Sequence, residues 1–173
     1  MRALTPAVSV AAGLRSDGGV EHPPRREPQR LSGRTGGRRL LGARAMGAWT
    51  LVVDAAQTAG AAGAMHGAAF NCVSETACSY VLLNNNGYVE VFRQTGSERT
   101  VWLELQQWPH VRRGSATNRV QLAAAAGSVE VRVNDELLLR VPALPGGLVG
   151  LAARARATAQ SVTYALAELR TEQ

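Results

Sequence analysis

The segments that decide the fold read TNRVQL at Thr117–Leu122, SVEVRVND at Ser128–Asp135 and GGLVGL at Gly146–Leu151. Apolar and polar residues alternate in each of them, which is the period of a β-strand with one buried and one solvated face. The breaks between the segments fall on turn-forming residues, such as Ala126-Gly127 and Pro145-Gly146-Gly147. The pattern predicts a β-meander.

Short apolar runs with the same texture continue over the chain from Trp49 onward. They recur about every 8 to 12 residues, a spacing typical of β-sandwiches. Asn85-Asn86-Gly87 and Asn134-Asp135 supply residues that tolerate positive φ in tight hairpins. Ala157–Arg170 is rich in Ala and Leu, but it alternates better than it follows a helical stripe, so we predict a closing strand there. The predicted strands lie near Trp49–Ala55, Gly67–Asn71, Ser79–Asn84, Tyr88–Gln94, Thr100–Gln107, Asn118–Ala124, Ser128–Asn134, Leu137–Val141, Leu148–Arg154 and Ser161–Leu169.

The basic charge of the chain is concentrated in its first quarter. The net charge is +6, and residues 1–45 hold nine Arg against three acidic residues, whereas residues 46–173 hold ten against ten. The first segment is also dense in Gly and Pro from Arg15 to Arg44, with little to bury, and this predicts a disordered leader over residues 1–45 ahead of one sandwich domain over residues 46–173.

That leader does not carry the marks of a specific partner. It lacks interleaved aromatic residues that would stack on bases, so we expect no specific nucleic-acid binding, and an Arg-biased composition explains its charge. Met1–Leu14 is a weak secretory signal, since its apolar part is thin and no clear cleavage site follows. No stretch reaches the roughly 20 apolar residues of a transmembrane helix.

Several landmarks of the predicted strands occur in a familiar order. They are Trp49–Ala55 (WTLVVDA), Gly67–Phe70, Tyr80–Leu83 followed by Asn86–Tyr88, Trp102 with Trp108, Asn118–Val120, Val133–Asn134 and Gly147–Leu151. In this order they resemble the concanavalin A-like lectin and glucanase family, grouped with laminin G-like and 3-keto-disaccharide hydrolase-like modules. The resemblance implies an all-β jelly-roll sandwich of two antiparallel sheets.

Two features depart from the pattern of that family. The closing strand usually carries an Asp and an Asn, and Tyr164–Leu169 (YALAEL) has neither. The strand that normally precedes Trp49 is not visible in the Arg-rich leader, so it is either absent from the chain or hidden there.

One polar and aromatic strand face is the candidate ligand site. Alternation places Trp102, Glu104 and Gln106 on one face of their strand, with Val101, Leu103 and Leu105 on the other. Tyr88 and Glu90 share a face of the preceding strand, which we expect to lie alongside. Such residues stack on sugar rings and bind hydroxyl groups. The alternative is a solvated outer face on which the aromatic residues anchor the sheet edges.

Neither catalysis nor metal binding has a motif of its own in this sequence. A retaining glucanase needs two carboxylates about 5 Å apart, and Glu104 is the single carboxylate of Thr100–Gln107. His22, His66 and His110 are isolated, and Asp54, Asp135 and Glu136 form no visible calcium loop. No Gly-x-Ser-x-Gly elbow appears. We expect no metal and no cofactor.

Cys72 and Cys78 are the two cysteines of the chain. Their spacing allows a disulfide that closes a small loop between antiparallel strands, provided that the compartment is oxidising. The alternative is a pair of reduced thiols in a cytosolic protein. The spacing is not the Cys-x-x-Cys of redox catalysts.

These observations lead to three functional hypotheses. The first is a non-catalytic recognition module for carbohydrate, located outside the cytoplasm, with Trp102, Glu104, Gln106, Tyr88 and Glu90 as its ligand-binding residues. The second is a glycoside hydrolase of the 3-keto-disaccharide hydrolase-like type, which requires that Glu90 and Glu104 share a cleft. The third is a structural or protein-interaction domain of a larger cell-surface or sensor protein.

Overall fold

The computed structural model describes residues 29–33, 38–45, 47–74, 76–144, 147–155 and 160–171. Twelve strands make up these ranges: β1 (Gln29–Gly33), β2 (Arg38–Ala45), β3 (Trp49–Ala59), β4 (Met65–Ser74), β5 (Ala77–Asn84), β6 (Tyr88–Thr95), β7 (Glu98–Gln107), β8 (Asn118–Ala125), β9 (Ser128–Val133), β10 (Glu136–Pro142), β11 (Gly147–Arg154) and β12 (Gln160–Thr171). All ten strands predicted from the sequence are present, and the segment before Thr171 is a strand as predicted.

The strands form two antiparallel six-stranded sheets. The meander sheet has the order β1-β12-β3-β8-β9-β10, and the hairpin sheet has the order β2-β11-β4-β5-β6-β7. No helix occurs among the described residues, so no described segment is a helix that could cross a membrane. The predicted all-β sandwich of two antiparallel sheets is confirmed.

The segment expected to be a disordered leader contributes a strand to each sheet. β1 pairs with β12, from Gln29 opposite Tyr164 to Gly33 opposite Gln160, and β2 pairs with β11 over its whole length. The prediction of disorder was therefore wrong for these two strands, and the sandwich begins before residue 46. Both are edge strands, which are held through backbone hydrogen bonds on one side and so need few apolar residues. Residues 1–28 of the predicted leader lie outside the described residues.

The space between the sheets holds the main hydrophobic core. In β8 and β9 burial alternates residue by residue, with Val120, Leu122, Val129, Val131 and Val133 buried and their neighbours partly exposed or exposed. Each fully buried Val or Leu contributes about 1.5–3 kcal/mol to folding. The two-residue turn between β9 and β10 has positive φ at Asn134 and Asp135, as the sequence predicts.

The hairpin sheet is buried on both faces over β4 and β5. A second apolar cluster lies on the face turned away from the main core. Its residues alternate along these strands with residues of the main core, and burial there is continuous rather than alternating. The cluster consists of Met65, Ala69, Cys72, Cys78, Tyr80, Leu82, Phe92 and Ala152, with Val101 and Leu148 packed against it.

Close packing within the hairpin sheet also explains one glycine. Gly67 has φ +156°, and a Cβ atom at this position would collide with the backbone carbonyl of Val81 on β5. A side chain at residue 67 would therefore push β4 and β5 apart.

Candidate functional site

The outer face of the hairpin sheet, meaning the face turned away from the main core, carries two of the predicted site residues. Val89 and Val91 of β6 point into the main core, so alternation turns Tyr88, Glu90 and Phe92 outward. The shared face predicted for Tyr88 and Glu90 is therefore present. Tyr88 is 37% exposed, whereas Glu90 is buried at 3%.

Glu90 is held by two arginines from other strands. Its Oε2 accepts a hydrogen bond from Arg99 Nη2 of β7 at 2.6 Å, and its Oε1 accepts one from Arg154 Nη2 of β11. The exposed fractions of the side chains are 4% for Glu90, 36% for Arg99 and 14% for Arg154. Buried charge is tolerated when it is both paired and hydrogen-bonded, and this carboxylate meets both conditions.

Aromatic rings form the floor beneath this ion cluster. Tyr80 and Phe92 stand opposite each other on β5 and β6 with ring centroids 5.2 Å apart and stacked. The Arg99 guanidinium lies over the Phe92 ring, with Cζ 3.9 Å from its centroid. Arg99 is thus fixed from two directions, by the carboxylate of Glu90 and by the ring, which leaves little rotamer freedom to lose on binding.

The turn that presents Tyr88 is held by side-chain hydrogen bonds. Asn84 Oδ1 accepts from the backbone N–H groups of Asn86 at 3.0 Å and of Tyr88 at 3.1 Å. Gly87 completes the turn with φ 88°, and its carbonyl oxygen accepts from the backbone N–H of Trp108 at 3.0 Å. The predicted Asn-Asn-Gly hairpin therefore anchors an exposed aromatic residue on rigid backbone.

The predicted alternation in β7 is interrupted, and this changes the role of Trp102. Val101 pairs with Phe92 and Leu103 pairs with Val91, so Trp102 is an extra residue in a bulge. Trp102 is half-buried and packs against the main core, as Leu103 does. The expected face that combines Trp102 with the polar residues of β7 is wrong, because the bulge turns the indole toward the core.

The polar residues predicted on β7 lie along its exposed end. Glu104 and Leu105 together stand opposite Glu90, since the register moves from Leu103–Val91 to Gln106–Val89. Glu104 and Gln106 are exposed, and Gln107, which pairs with Tyr88, is exposed as well. β7 is the last strand of its sheet in the described part of the chain. Gln107 therefore borders Tyr88, and Glu104 lies in the bulge opposite Glu90, whereas Gln106 pairs with the inward-facing Val89 and lies on the other face of the sheet.

A second carboxylate with two arginines lies on the meander sheet. Glu130 accepts from Arg132 Nε at 2.5 Å and from Arg140 Nη2 at 2.6 Å. These hydrogen bonds, the one from Arg132 first, lower the pKa of Glu130 below its usual value. The Glu130 side chain is 21% exposed and that of Arg140 is 63% exposed, so solvent screens this cluster.

Three polar residues that no sequence motif singles out are buried in the sandwich. Gln57, His66 and Gln160 are 1%, 1% and 3% exposed. Both ring nitrogens of His66 and both glutamine Oε1 atoms lack a hydrogen-bond partner in the described structure. Burial lowers the pKa of His66 to about 4, so its ring is neutral at physiological pH.

The other candidate residues occupy structural positions. Asp54 forms a bidentate pair with Arg119, at 2.7 Å for both hydrogen bonds, and Asp135 lies in the β9–β10 turn. No group of three or more His, Cys, Asp or Glu side chains in the described ranges could hold a metal ion. Cys72 lies near the end of β4, and Cys78 lies near the start of β5. A disulfide joins the two residues, and both are buried.

Solved structures share this architecture, although no protein-family model and no curated protein matches the chain. The carbohydrate binding module CBM66 from Bacillus subtilis has a TM-score of 0.63 at 14% identity, over 82% of this chain and 86% of that one. The Emp47p carbohydrate recognition domain has a TM-score of 0.57 at 10% identity, over 87% and 86%. The chain has the concanavalin A-like jelly-roll fold.

The architecture also occurs as part of a longer protein. The GH43 protein BlXynB from Bacillus licheniformis has a TM-score of 0.63 at 10% identity, and the match covers 82% of this chain but 32% of that one. At such identities the likeness establishes the fold, and the choice between binding and catalysis has to come from the site.

Proposed function

We propose that this protein is a non-catalytic carbohydrate-binding module, whose ligand lies on the outer face of the hairpin sheet over β6 and β7. One observation carries the proposal: Tyr88, an exposed aromatic residue on a rigid turn, shares this face with the Glu90–Arg99 ion pair. Tyr presents an apolar ring with a polar tip, and this combination suits a sugar, which has apolar ring faces and hydroxyl edges. Exposed Glu104 and Gln107 supply further hydrogen-bonding groups.

Two of the solved structures with this fold support the proposal through their stated roles. CBM66 is called a carbohydrate binding module, and the matched part of Emp47p is called a carbohydrate recognition domain. The more specific laminin G-like and 3-keto-disaccharide hydrolase-like affinities remain predictions from sequence resemblance.

The geometry of Glu90 favours binding over hydrolysis. A glycoside hydrolase needs one carboxylic acid that donates a proton and one carboxylate that acts as base or nucleophile. Both oxygens of Glu90 accept hydrogen bonds from arginines, and the side chain is buried. Glu104 stands across from it but is exposed on the last described strand of its sheet. Glu90 therefore serves better to position Arg99 than to exchange protons.

We also propose that the protein acts outside the cytoplasm. The Cys72–Cys78 disulfide supports this location, because disulfides persist in oxidising compartments and are rare in the cytosol.

The test is a glycan-array screen of the full chain with its cysteines oxidised, repeated with Tyr88→Ala. We expect selective binding that falls at least about tenfold in the variant, since stacked aromatic residues dominate binding sites of this kind. Leu137→Ala is the matched control, because Leu137 is 38% exposed on β10 of the opposite sheet and should leave binding unchanged.

Three outcomes would contradict the proposal. Equal loss in both variants would place the site elsewhere. A folded chain that binds no glycan would favour the structural or protein-interaction hypothesis. Release of reducing sugar from a bound polymer would establish the hydrolase.

A further inference from the structure

Guanidinium groups are concentrated on the ligand face. Those of Arg99 and Arg154 both bind the carboxylate of Glu90. Arg44 of β2, which is opposite Leu148 in the register, is exposed. Guanidinium groups bind anions such as carboxylates through charge-assisted hydrogen bonds.

Arg99 has donors to spare for such an anion. It donates one hydrogen bond, from Nη2 to Glu90, and Glu90 is its one hydrogen-bond partner in the described part of the chain. A guanidinium group has five N–H donors in a planar fork that matches a carboxylate. The side chain is 36% exposed, so the remaining donors can reach a ligand. Glu90 and the Phe92 ring hold the fork in place before a ligand arrives.

Tyr88, Glu90 and Phe92 follow one another along the outer face of β6. Tyr88 and Glu90 are two residues apart on that face, which places them about 6.5–7 Å apart along the strand. The Arg99 guanidinium binds Glu90 and lies over the Phe92 ring, so it is farther from Tyr88 than Glu90 is. A sugar chain that stacks on Tyr88 and runs along β6 therefore brings a neighbouring sugar unit within reach of Arg99.

We infer that this face selects chains of acidic sugars, with Tyr88 stacking on one sugar ring and Arg99 binding the carboxylate of a neighbouring uronic acid unit. The inference rests on the proposed function, which it makes more specific. Glu104 works against it, because its exposed carboxylate lies on the strand segment opposite Glu90 and repels an anionic ligand. The opposite charges of Arg99 and Glu104 give the test two directions.

The experiment compares uronate polymers with their methyl esters by isothermal titration calorimetry of the full oxidised chain. Polygalacturonate, alginate and hyaluronate are used, each next to the same polymer with its carboxyl groups esterified, so that the sugar is constant and the charge is removed. We expect at least about tenfold tighter binding of one or more of the charged forms, and weaker binding as salt is raised from 0.05 M to 0.5 M.

Variants then assign the charge effect to residues. Arg99→Gln should abolish the preference for the charged polymer, whereas Arg99→Lys should retain part of it, because Lys keeps the charge but loses the fork. Glu104→Gln should strengthen binding of the charged polymer about two- to fivefold at low salt, and it does not disturb the buried ion pair. Arg140→Gln, on the opposite sheet, is the control and should change nothing.

The outcomes separate this inference from the proposed function. Equal binding of polymer and ester, or selective binding of neutral glycans on the array, overturns the acidic specificity and leaves carbohydrate binding standing. Binding of sulfated but not uronate polymers also overturns it. A folded chain that binds no glycan of any kind overturns both. Tighter binding of the charged polymer by Glu104→Gln together with weaker binding by Arg99→Gln supports the inference. If Arg99→Gln fails to fold, Glu104→Gln still tests it.

Discussion

Each sheet of this sandwich carries one carboxylate that bridges two arginines, and the two clusters differ in burial. Glu90 on the hairpin sheet is 4% exposed and joins arginines from β7 and β11. Glu130 on the meander sheet is 21% exposed and joins arginines from β9 and β10. The chemical groups are the same, so the contrast isolates what burial does to an ion cluster.

Burial gives the two clusters different roles. At Glu130, water screens the charges, and loss of one partner leaves the others solvated. At Glu90, the surrounding apolar cluster and the Phe92 ring exclude water, so each charge depends on its partners. Loss of one member of such a cluster lowers the free energy of unfolding strongly. The same contacts hold the guanidinium of Arg99 in one orientation toward a ligand.

Neutralising each carboxylate in turn should give the largest difference in stability between the two clusters. Glu90→Gln should lower the free energy of unfolding by about 3–5 kcal/mol, since it removes the carboxylate from a buried ion cluster. Glu130→Gln should change the free energy of unfolding much less, because solvent screens its ion pairs. Urea denaturation followed by circular dichroism measures both. Equal losses in the two variants would show that burial does not distinguish the clusters.

The pH dependence of stability separates buried from exposed groups in the same way. The pKa of His66 falls from an unfolded value near 6.5 to about 4 in the folded protein. The folded state therefore resists protonation, so stability is complete above pH 6.5 and decreases as the pH falls toward 4. The loss should approach about 3 kcal/mol, which corresponds to the difference between the two pKa values.

The exposed ion cluster of Glu130 affects stability at a lower pH than His66 does. Hydrogen bonds from Arg132 and Arg140 depress the folded pKa of Glu130. Its contribution is present above the unfolded pKa near 4.5 and is lost as the pH falls through the folded value. His66→Leu should abolish the loss of stability between pH 6.5 and 4. It should leave unchanged the loss at lower pH that comes from Glu130. His110→Gln, at an exposed histidine, is the control, and a profile that His66→Leu does not alter would refute the assignment.

The strands that could be predicted best from the sequence are those with one buried face and one solvent-exposed face. β8 and β9 alternate in burial because their outer face is solvated, and their sequences alternate with it. The edge strands β1 and β2 could not be predicted from the sequence. Backbone hydrogen bonds pair them with β12 and β11, and such pairing does not require a particular pattern of side chains. Their Arg- and Gly-rich sequences resemble a linker.

The site was predictable to the same degree. Period two placed Tyr88 and Glu90 on one face correctly, since β6 pairs with β5 without interruption. Trp102 was misplaced because the β7 bulges follow from pairing with β6, and the sequence of β7 alone does not reveal them. The partners of Glu90 were missed because Arg154 lies 64 residues away, and the sheet topology brings it close.

The Cys72–Cys78 disulfide also distinguishes the two sheets, because it braces the hairpin sheet and has no counterpart among the described residues of the meander sheet. Cys72 and Cys78 close a loop with a sequence separation of six, and both side chains are buried in the outer apolar cluster. The loss of chain entropy in the unfolded state for so short a loop is worth about 2 kcal/mol. Reducing the wild-type protein should therefore lower the free energy of unfolding by about this amount, measured by urea denaturation with and without reductant. Cys72→Ala/Cys78→Ala should not respond to reductant, which separates loss of the crosslink from the cost of altered packing. If reduction leaves the wild type unchanged, the apolar cluster alone holds β4 against β5, and the disulfide does not contribute to the stability of this sheet.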